Sequence, residues 1–174
     1  MAGIRDAQSV KAICAVTRAP AADTAAAENR LEALLGPVEH RSEEYDFNFT
    51  AYYEREMGSG LKKYFLSFAG TIHPRLLPSL KVRTNEIETD LAAGAGRTVN
   101  LDPGYLTPAK LVMASAKNFS HRIFIGGGIY GDLQLQYRDN RFHPQHWTFP
   151  DYQTETALVF FTAVRNELIN QESS

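Results

Sequence analysis

The chain has 174 residues, 44% of them apolar and 22% charged, with a net charge of −2. That length suits a single domain, residues 1–174, with an ordinary globular core. The near-neutral balance argues against recruitment of nucleic acid, and no stretch approaches the ~20 apolar residues of a membrane span.

Residues 10–16, with the apolar run Ala12-Ile13-Cys14-Ala15-Val16, read as a buried strand, and Arg18-Ala19-Pro20 ends it. Cys14, the only cysteine, lies inside this run. It allows no internal disulfide, argues against a thiolate zinc centre, and reads as an inert thiol of a cytoplasmic protein. Asp23 or Thr24 then caps a helix whose face is Ala27, Leu31, Leu34 and Leu35, and Gly36-Pro37 stops it. His40 lies in a charged strand. Tyr45, Phe47 and Phe49 alternate with Glu44, Asp46 and Asn48, so residues 45–49 are expected to form a further strand. Residues 50–60 read as a connection. Residues 64–72 carry aromatic and aliphatic side chains on both faces and predict a central strand.

His73-Pro74 opens a helix with a stripe of Leu77, Leu80, Thr84, Ile87 and Leu91. Pro78 fits that helix only if it starts late. Residues 98–102 read as a strand closed by a turn at Pro103-Gly104. The order βαββαβ matches a ferredoxin-like sandwich. Residues 109–116 suit a short helix after Thr107-Pro108, although Leu111-Val112-Met113 also suits a strand. Residues 123–125 and 133–137 predict a hairpin around Gly126-Gly127-Gly128. A last helix starts at Pro150-Asp151, with Ala157, Phe161, Val164 and Leu168 as its stripe. The expected fold is therefore α+β: a ferredoxin-like core extended by a C-terminal hairpin and helix.

Candidate chemistry concentrates between residues 100 and 132. Asp102 would stand at the end of a strand, where sites in mixed folds collect. Lys110, Lys117 and Arg122 are suited to gripping phosphate or carboxylate, and His121 is the natural proton carrier. Alternation places His121 and Arg122 on opposite faces unless the strand begins after them. Glu44, Asp46 and Asn48 share a strand face, and Tyr52, Tyr53 and Glu56 follow closely. Gly-x-x-x-x-Gly-Lys-Ser/Thr and Gly-x-Ser-x-Gly are both absent. His143 and His146 flank a proline in an extended turn, so no metal centre is read there.

Tyr52-Tyr53-Glu54-Arg55-Glu56-Met57-Gly58, Leu101-Asp102-Pro103-Gly104-Tyr105-Leu106 and Ala109-Lys110-Leu111-Val112 follow one another in this order. Ala114-Ser115-Ala116-Lys117-Asn118, His121-Arg122-Ile123 and Gly128-Ile129-Tyr130 come after them. Together these motifs resemble a prokaryotic family catalogued as a domain of unknown function, DUF4416, over nearly the whole chain. The resemblance implies no settled activity. A GTP-binding role attributed to some members finds neither a phosphate loop nor an Asn-Lys-x-Asp reader in this sequence.

The first functional reading is binding or processing of a small anionic ligand, phosphate- or nucleotide-like. Lys110, Lys117 and Arg122 would neutralise it. His121, Asp102 and Glu56 would supply acid–base chemistry, and Tyr53 and Tyr105 would form walls or donate hydrogen bonds. No cofactor is named by the sequence; Mg²⁺ held by Asp46, Glu56 and Asp102 is the candidate. The second reading is a non-catalytic interaction domain whose aromatics, Phe47 to Tyr53, form a docking patch. Convergence of Asp46, Glu56, Asp102, Lys110 and His121 on one pocket would favour the first reading, and dispersal the second. Nothing in the sequence sets the oligomeric state.

Overall fold

The computed structural model describes residues 3–50, 52–94 and 96–172. Strand β1 (Lys11–Arg18) is buried along nearly its whole length, as the apolar stretch at its centre, residues 12–16, demands. It is followed by α1 (Thr24–Leu35), β2 (Val38–Arg41), β3 (Tyr45–Asp46), the single-turn α2 (Glu54–Met57) and β4 (Lys62–Phe68). Then come α3 (Leu77–Asp90), β5 (Val99–Leu106), β6 (Lys110–Ser115), β7 (Ile123–Gly126), β8 (Ile129–Arg138), β9 (Arg141–Pro144) and α4 (Glu155–Glu172).

The nine strands make one antiparallel sheet in the order β2-β4-β1-β5-β6-β8-β7, with β3 also on β4 and β9 also on β8. It is larger than the four-stranded sheet of a ferredoxin-like sandwich. Helices cover both faces. Leu31 of α1 and Leu80 and Ile87 of α3 pack with Cys14, Val16, Leu66 and Leu101. On the other face Phe161, Val164 and Leu168 of α4 pack with Ile13, Phe65, Leu106 and Leu135. Burial pushes the Cys14 thiol well up, so it stays protonated and unreactive. Among the described residues, no helix is long and apolar enough to cross a membrane.

Several local expectations need correction. The strand expected at residues 45–49 pairs only at Tyr45–Asp46, and β2 takes the edge beside β4. Phe47 keeps one backbone bond, donating its N–H to the Leu61 carbonyl at 2.8 Å, while its side chain joins a small cluster with Ala19, Met57 and Leu61, and the strand goes no further. Of the two readings of residues 109–116 the strand is the one that forms, as β6 (Lys110–Ser115), because Leu111 and Met113 have a place in the α4 core. Asp151 lies in a 3₁₀ turn, Pro150–Gln153, and α4 starts only at Glu155. Likewise Pro74–Leu76 is a 3₁₀ turn that delays α3 to Leu77, which puts Pro78 in the first turn, where a missing N–H costs nothing. The hairpin at the triple glycine forms as expected. Gly126, Gly127 and Gly128 have φ of 108°, 60° and 75°, values that only glycine takes readily.

The correction that matters most concerns Pro103-Gly104. It is not a turn: β5 runs through it to Leu106 and pairs with β1 at every position. On its other side β5 meets β6 only at Gly104, Tyr105 and Leu106. Upstream of Pro103 the two strands part, while β6 goes on along β8 to Ser115. Proline has no N–H to give the ladder, so pairing ends where it stands. Gly104 is the last contact. A Cβ there would lie 2.3 Å from the Met113 sulfur and 2.6 Å from the Val112 carbonyl oxygen. Gly104→Ala is therefore expected to destabilise the fold by about 1–3 kcal/mol, as overpacking does. The check is the urea midpoint, and an unchanged midpoint would show that β6 yields freely.

Candidate functional site

The parting of β5 and β6 opens a cavity of about 550 Å³, within the range of small-molecule pockets. Its walls come from the 47–53 loop, the middle of α3, the separated ends of β5 and β6, β8, and residues 149–152. Five cationic and four acidic side chains line it, a load of charge that needs partners in a buried setting.

Where β6 has left, the exposed backbone edge of β5 is taken over by α3. The Leu101 N–H donates to Glu88 Oε1 at 2.6 Å, and the Leu101 carbonyl accepts from Lys81 Nζ at 3.0 Å. Lys81 also donates to Asp102 Oδ1 at 2.9 Å, and Asn100 Nδ2 to Asp102 Oδ2 at 2.7 Å. Burial would push the Asp102 carboxyl up, but the Lys81 ammonium, backed by Lys63, overcomes it and holds the group below the usual range. Lys81 is shifted up: burial favours its neutral form, but the Asp102 and Glu88 carboxylates outweigh it. Glu88 is raised by burial despite Lys81. Arg97 joins this group, donating to Glu88 Oε2 at 2.7 Å and to Asn100 Oδ1 at 3.1 Å. A second buried pair, Lys63 with Asp151, stands across the cavity beside Phe47 and Tyr152.

The other end of the cavity is built differently. Arg122 is 4% exposed and donates from Nε to Asp132 Oδ2 at 2.6 Å. Its Nη1 donates to Ser115 Oγ at 2.7 Å and to the Lys117 carbonyl at 2.9 Å. Its Nη2 has no hydrogen-bond partner among the described residues. Ser115 Oγ also accepts from the Lys117 N–H at 3.1 Å, so it receives twice and its own proton has no acceptor among the described residues. Lys117 Nζ donates to the Tyr52 hydroxyl at 2.7 Å and meets no carboxylate among the described residues. Three donors are thus left over at one end of one cavity.

Of the residues singled out in the sequence, Tyr53, Asp102, Lys117 and Arg122 line this cavity. Burial, with Asp102 nearby, pushes the Tyr53 phenol up, so it stands there as a neutral hydroxyl. Glu56 lies behind the wall, gripping Arg97 with both oxygens at 2.7 and 2.8 Å. His121 lies behind Asp132, with Nε2 at 3.6 Å from Oδ1, its ring stacked on Trp147 and Phe119. Because β7 begins only at Ile123, His121 and Arg122 precede the strand and both reach Asp132. Asp46, Tyr105 and Lys110 do not line the cavity. Asp46 is exposed and pairs with Lys62 at 2.6 Å, Tyr105 packs with Leu77, Ala114 and Ile129, and Lys110 stands exposed at the start of β6. Burial raises the Tyr105 phenol. Asp46, Glu56 and Asp102, expected as a cation-binding set, are each engaged by a different cation. Among the described residues, no group of three or more His, Cys, Asp or Glu side chains is placed to hold a metal ion. Of the aromatics read as a docking patch, Phe47 is buried and Tyr53 packs on it edge to face, while Phe49 and Tyr52 stay 40% and 58% exposed beside the cavity.

Sequence reading missed Lys81, Glu88, Arg97 and Asp132, and gave Ser115 no role. Lys81, Thr84 and Glu88 are spaced on one helical face beside the apolar residues Leu77, Leu80 and Ile87, and that spacing is the signal that they point inward.

The molecule is thus a mixed α/β protein with one antiparallel sheet, split to hold a polar cavity. The chain matches the family model described as Domain of unknown function (DUF4416) over residues 8–168 and belongs to that family. No curated protein and no solved structure matches it.

Proposed function

We propose that the cavity binds a small anionic ligand of the phosphate-ester class. The observation that carries this reading is the donor trio at the end of β6. Arg122, Lys117 and Ser115 line one cavity, and among the described residues each keeps donor capacity unspent, at Nη2, Nζ and the hydroxyl. A buried guanidinium pinned by a carboxylate and a hydroxyl is pre-oriented, so an anion need not order it on binding. Only Asp102, among Asp46, Glu56, Asp102, Lys110 and His121, lines the cavity. That dispersal counts towards the interaction reading. It leaves the anion-binding donors untouched, since Lys117 and Arg122 do converge.

The test is thermal shift with inorganic phosphate, pyrophosphate and nucleotides, with and without Mg²⁺, followed by the same screen on Lys117→Ala. A ligand at a hundred times its Kd stabilises by about 2.7 kcal/mol, well within reach of the measurement. Lys117 is exposed, so Lys117→Ala is expected to leave the melting temperature unchanged and to weaken the anion about tenfold. Absence of any shift with every phosphorylated compound would sink the reading.

A finer reading of the fold belongs here as well. We infer that β1, α1, β2, β4, α3 and β5 are a ferredoxin-like core onto which β6–β9 and α4 have been added. Its support is the antiparallel order β2-β4-β1-β5, with α1 and α3 on the same face.

A further inference from the structure

The rim of the cavity carries an unusual share of the exposed aromatic surface. Phe49, Tyr52, Phe119 and Phe149 all line it, and each is between 40% and 58% exposed. Isolated exposed rings are ordinary, but four around one opening are a patch that calls for a partner. Three of them are also paired with the anion-binding cations. Lys117 Nζ lies 3.9 Å from the centre of the Tyr52 ring, and the Arg122 guanidinium lies 4.8 Å from that of Phe119 and 6.0 Å from that of Phe149. Each cation therefore sits at a ring face, and a ligand that reaches the cation comes within reach of the ring.

An inorganic anion would use the donor trio and leave both the rings and most of the 550 Å³ idle. A planar heterocycle joined to a phosphate would use all three, since stacking on exposed aromatics is indifferent to which heterocycle it is. Towards α3 the cavity offers Asn85, Thr89 and the Asp102 carboxylate, acceptors suited to hydroxyl donors. Resting on the anion-site reading above, we propose that the ligand is a free nucleoside phosphate. The phosphate lies on Ser115, Lys117 and Arg122, the base is stacked at the Tyr52–Phe119 rim, and the sugar hydroxyls face α3.

The experiment is calorimetric titration of the full chain with adenosine and uridine 5′-monophosphates, ribose 5-phosphate, inorganic phosphate and a short single-stranded oligonucleotide. It is run on the wild type and on Phe119→Ala. Phe119 is half exposed, and ribose 5-phosphate binding reports whether the variant retains its anion site. The nucleoside monophosphates are expected to bind at least tenfold tighter than ribose 5-phosphate. Phe119→Ala is expected to cost them about tenfold, the loss that removal of one stacking ring produces, and to cost ribose 5-phosphate clearly less, only what Arg122 loses with the ring it rests on. Equal affinity for ribose 5-phosphate and the nucleotides overturns the nucleoside assignment and leaves the anion site standing. So does a Phe119→Ala effect that is absent or the same for both. Tighter binding of the oligonucleotide than of the mononucleotides overturns the free-nucleotide reading. Failure of every phosphate compound overturns the anion site as well.

Discussion

Lys81→Met is expected to destabilise the protein by about 3–5 kcal/mol, the cost of breaking a buried ion pair by removing one partner. Methionine keeps the length and apolar stem of the side chain, so the change isolates the ammonium. That ammonium stands 2.9 Å from Asp102 and 4.0 Å from Glu88, and also holds the Leu101 carbonyl that β6 has abandoned. Without it two carboxylates are left in one buried neighbourhood, and the edge of β5 loses half its cover. Urea denaturation measures the loss, and Lys81→Met/Asp102→Asn is expected to regain part of it. A single variant as stable as the wild type would show that water already solvates these acids.

The same group fixes the sign of an acid effect. The Asp102 carboxyl is held below its ordinary value of 3.8 in the folded protein, with Lys81 overcoming the upward push of burial. As pH falls past that value the unfolded chain takes up a proton that native Asp102 refuses. Its contribution is therefore complete above 3.8 and is lost as pH falls through the lower folded value. Glu88 runs the other way. Its folded value is raised by burial, so its cost is present above that value and is relieved on acidification. Asp102→Asn removes the first effect and keeps the second, so its stability should fall less steeply with acid than that of the wild type.

The elements that show in the sequence are those whose side chains repeat a contact. The middles of β1 and β4, residues 12–16 and 64–66, are apolar because helices cover both faces, and Leu31, Leu80, Phe161 and Val164 recur at helical spacing because each meets the sheet. The split between β5 and β6 has no such signature. It is a property of pairing, and Pro103 was its only local trace, as compatible with a turn as with an interrupted ladder. The partners that fill the split were illegible for a related reason. Lys81 and Glu88 look like solvated charges until the strand edge they satisfy is known. Glu56 and His121 were legible as chemically apt residues, yet they stand one layer out, on Arg97 and Asp132. Residue type announces what a side chain can do; only the path of β6 decides which side chains face the same space.

Arg122→Ala separates the structural role of this end of the cavity from the binding role proposed for it. Asp132 is buried, and its Oδ2 accepts from Arg122 at 2.6 Å, while Oδ1 has no hydrogen-bond partner among the described residues. Removing the guanidinium leaves that carboxylate buried without its cation, so a loss of about 3–5 kcal/mol in the urea experiment is expected. Arg122→Ala/Asp132→Asn neutralises the orphaned acid and should recover much of it. Phosphate affinity should not recover. The double variant still lacks Nη2, and Ser115 Oγ no longer has the Nη1 donor that orients it. Relative to the wild type its phosphate affinity is expected to fall at least tenfold, the range of a lost charge-assisted hydrogen bond. Arg122→Lys is expected to lie between, keeping the charge near Asp132 while losing the fork that serves Asp132 and Ser115 together. If the refolded double variant bound phosphate as tightly as the wild type, the anion would have to lie elsewhere, and the donor trio at the end of β6 would be a purely structural knot.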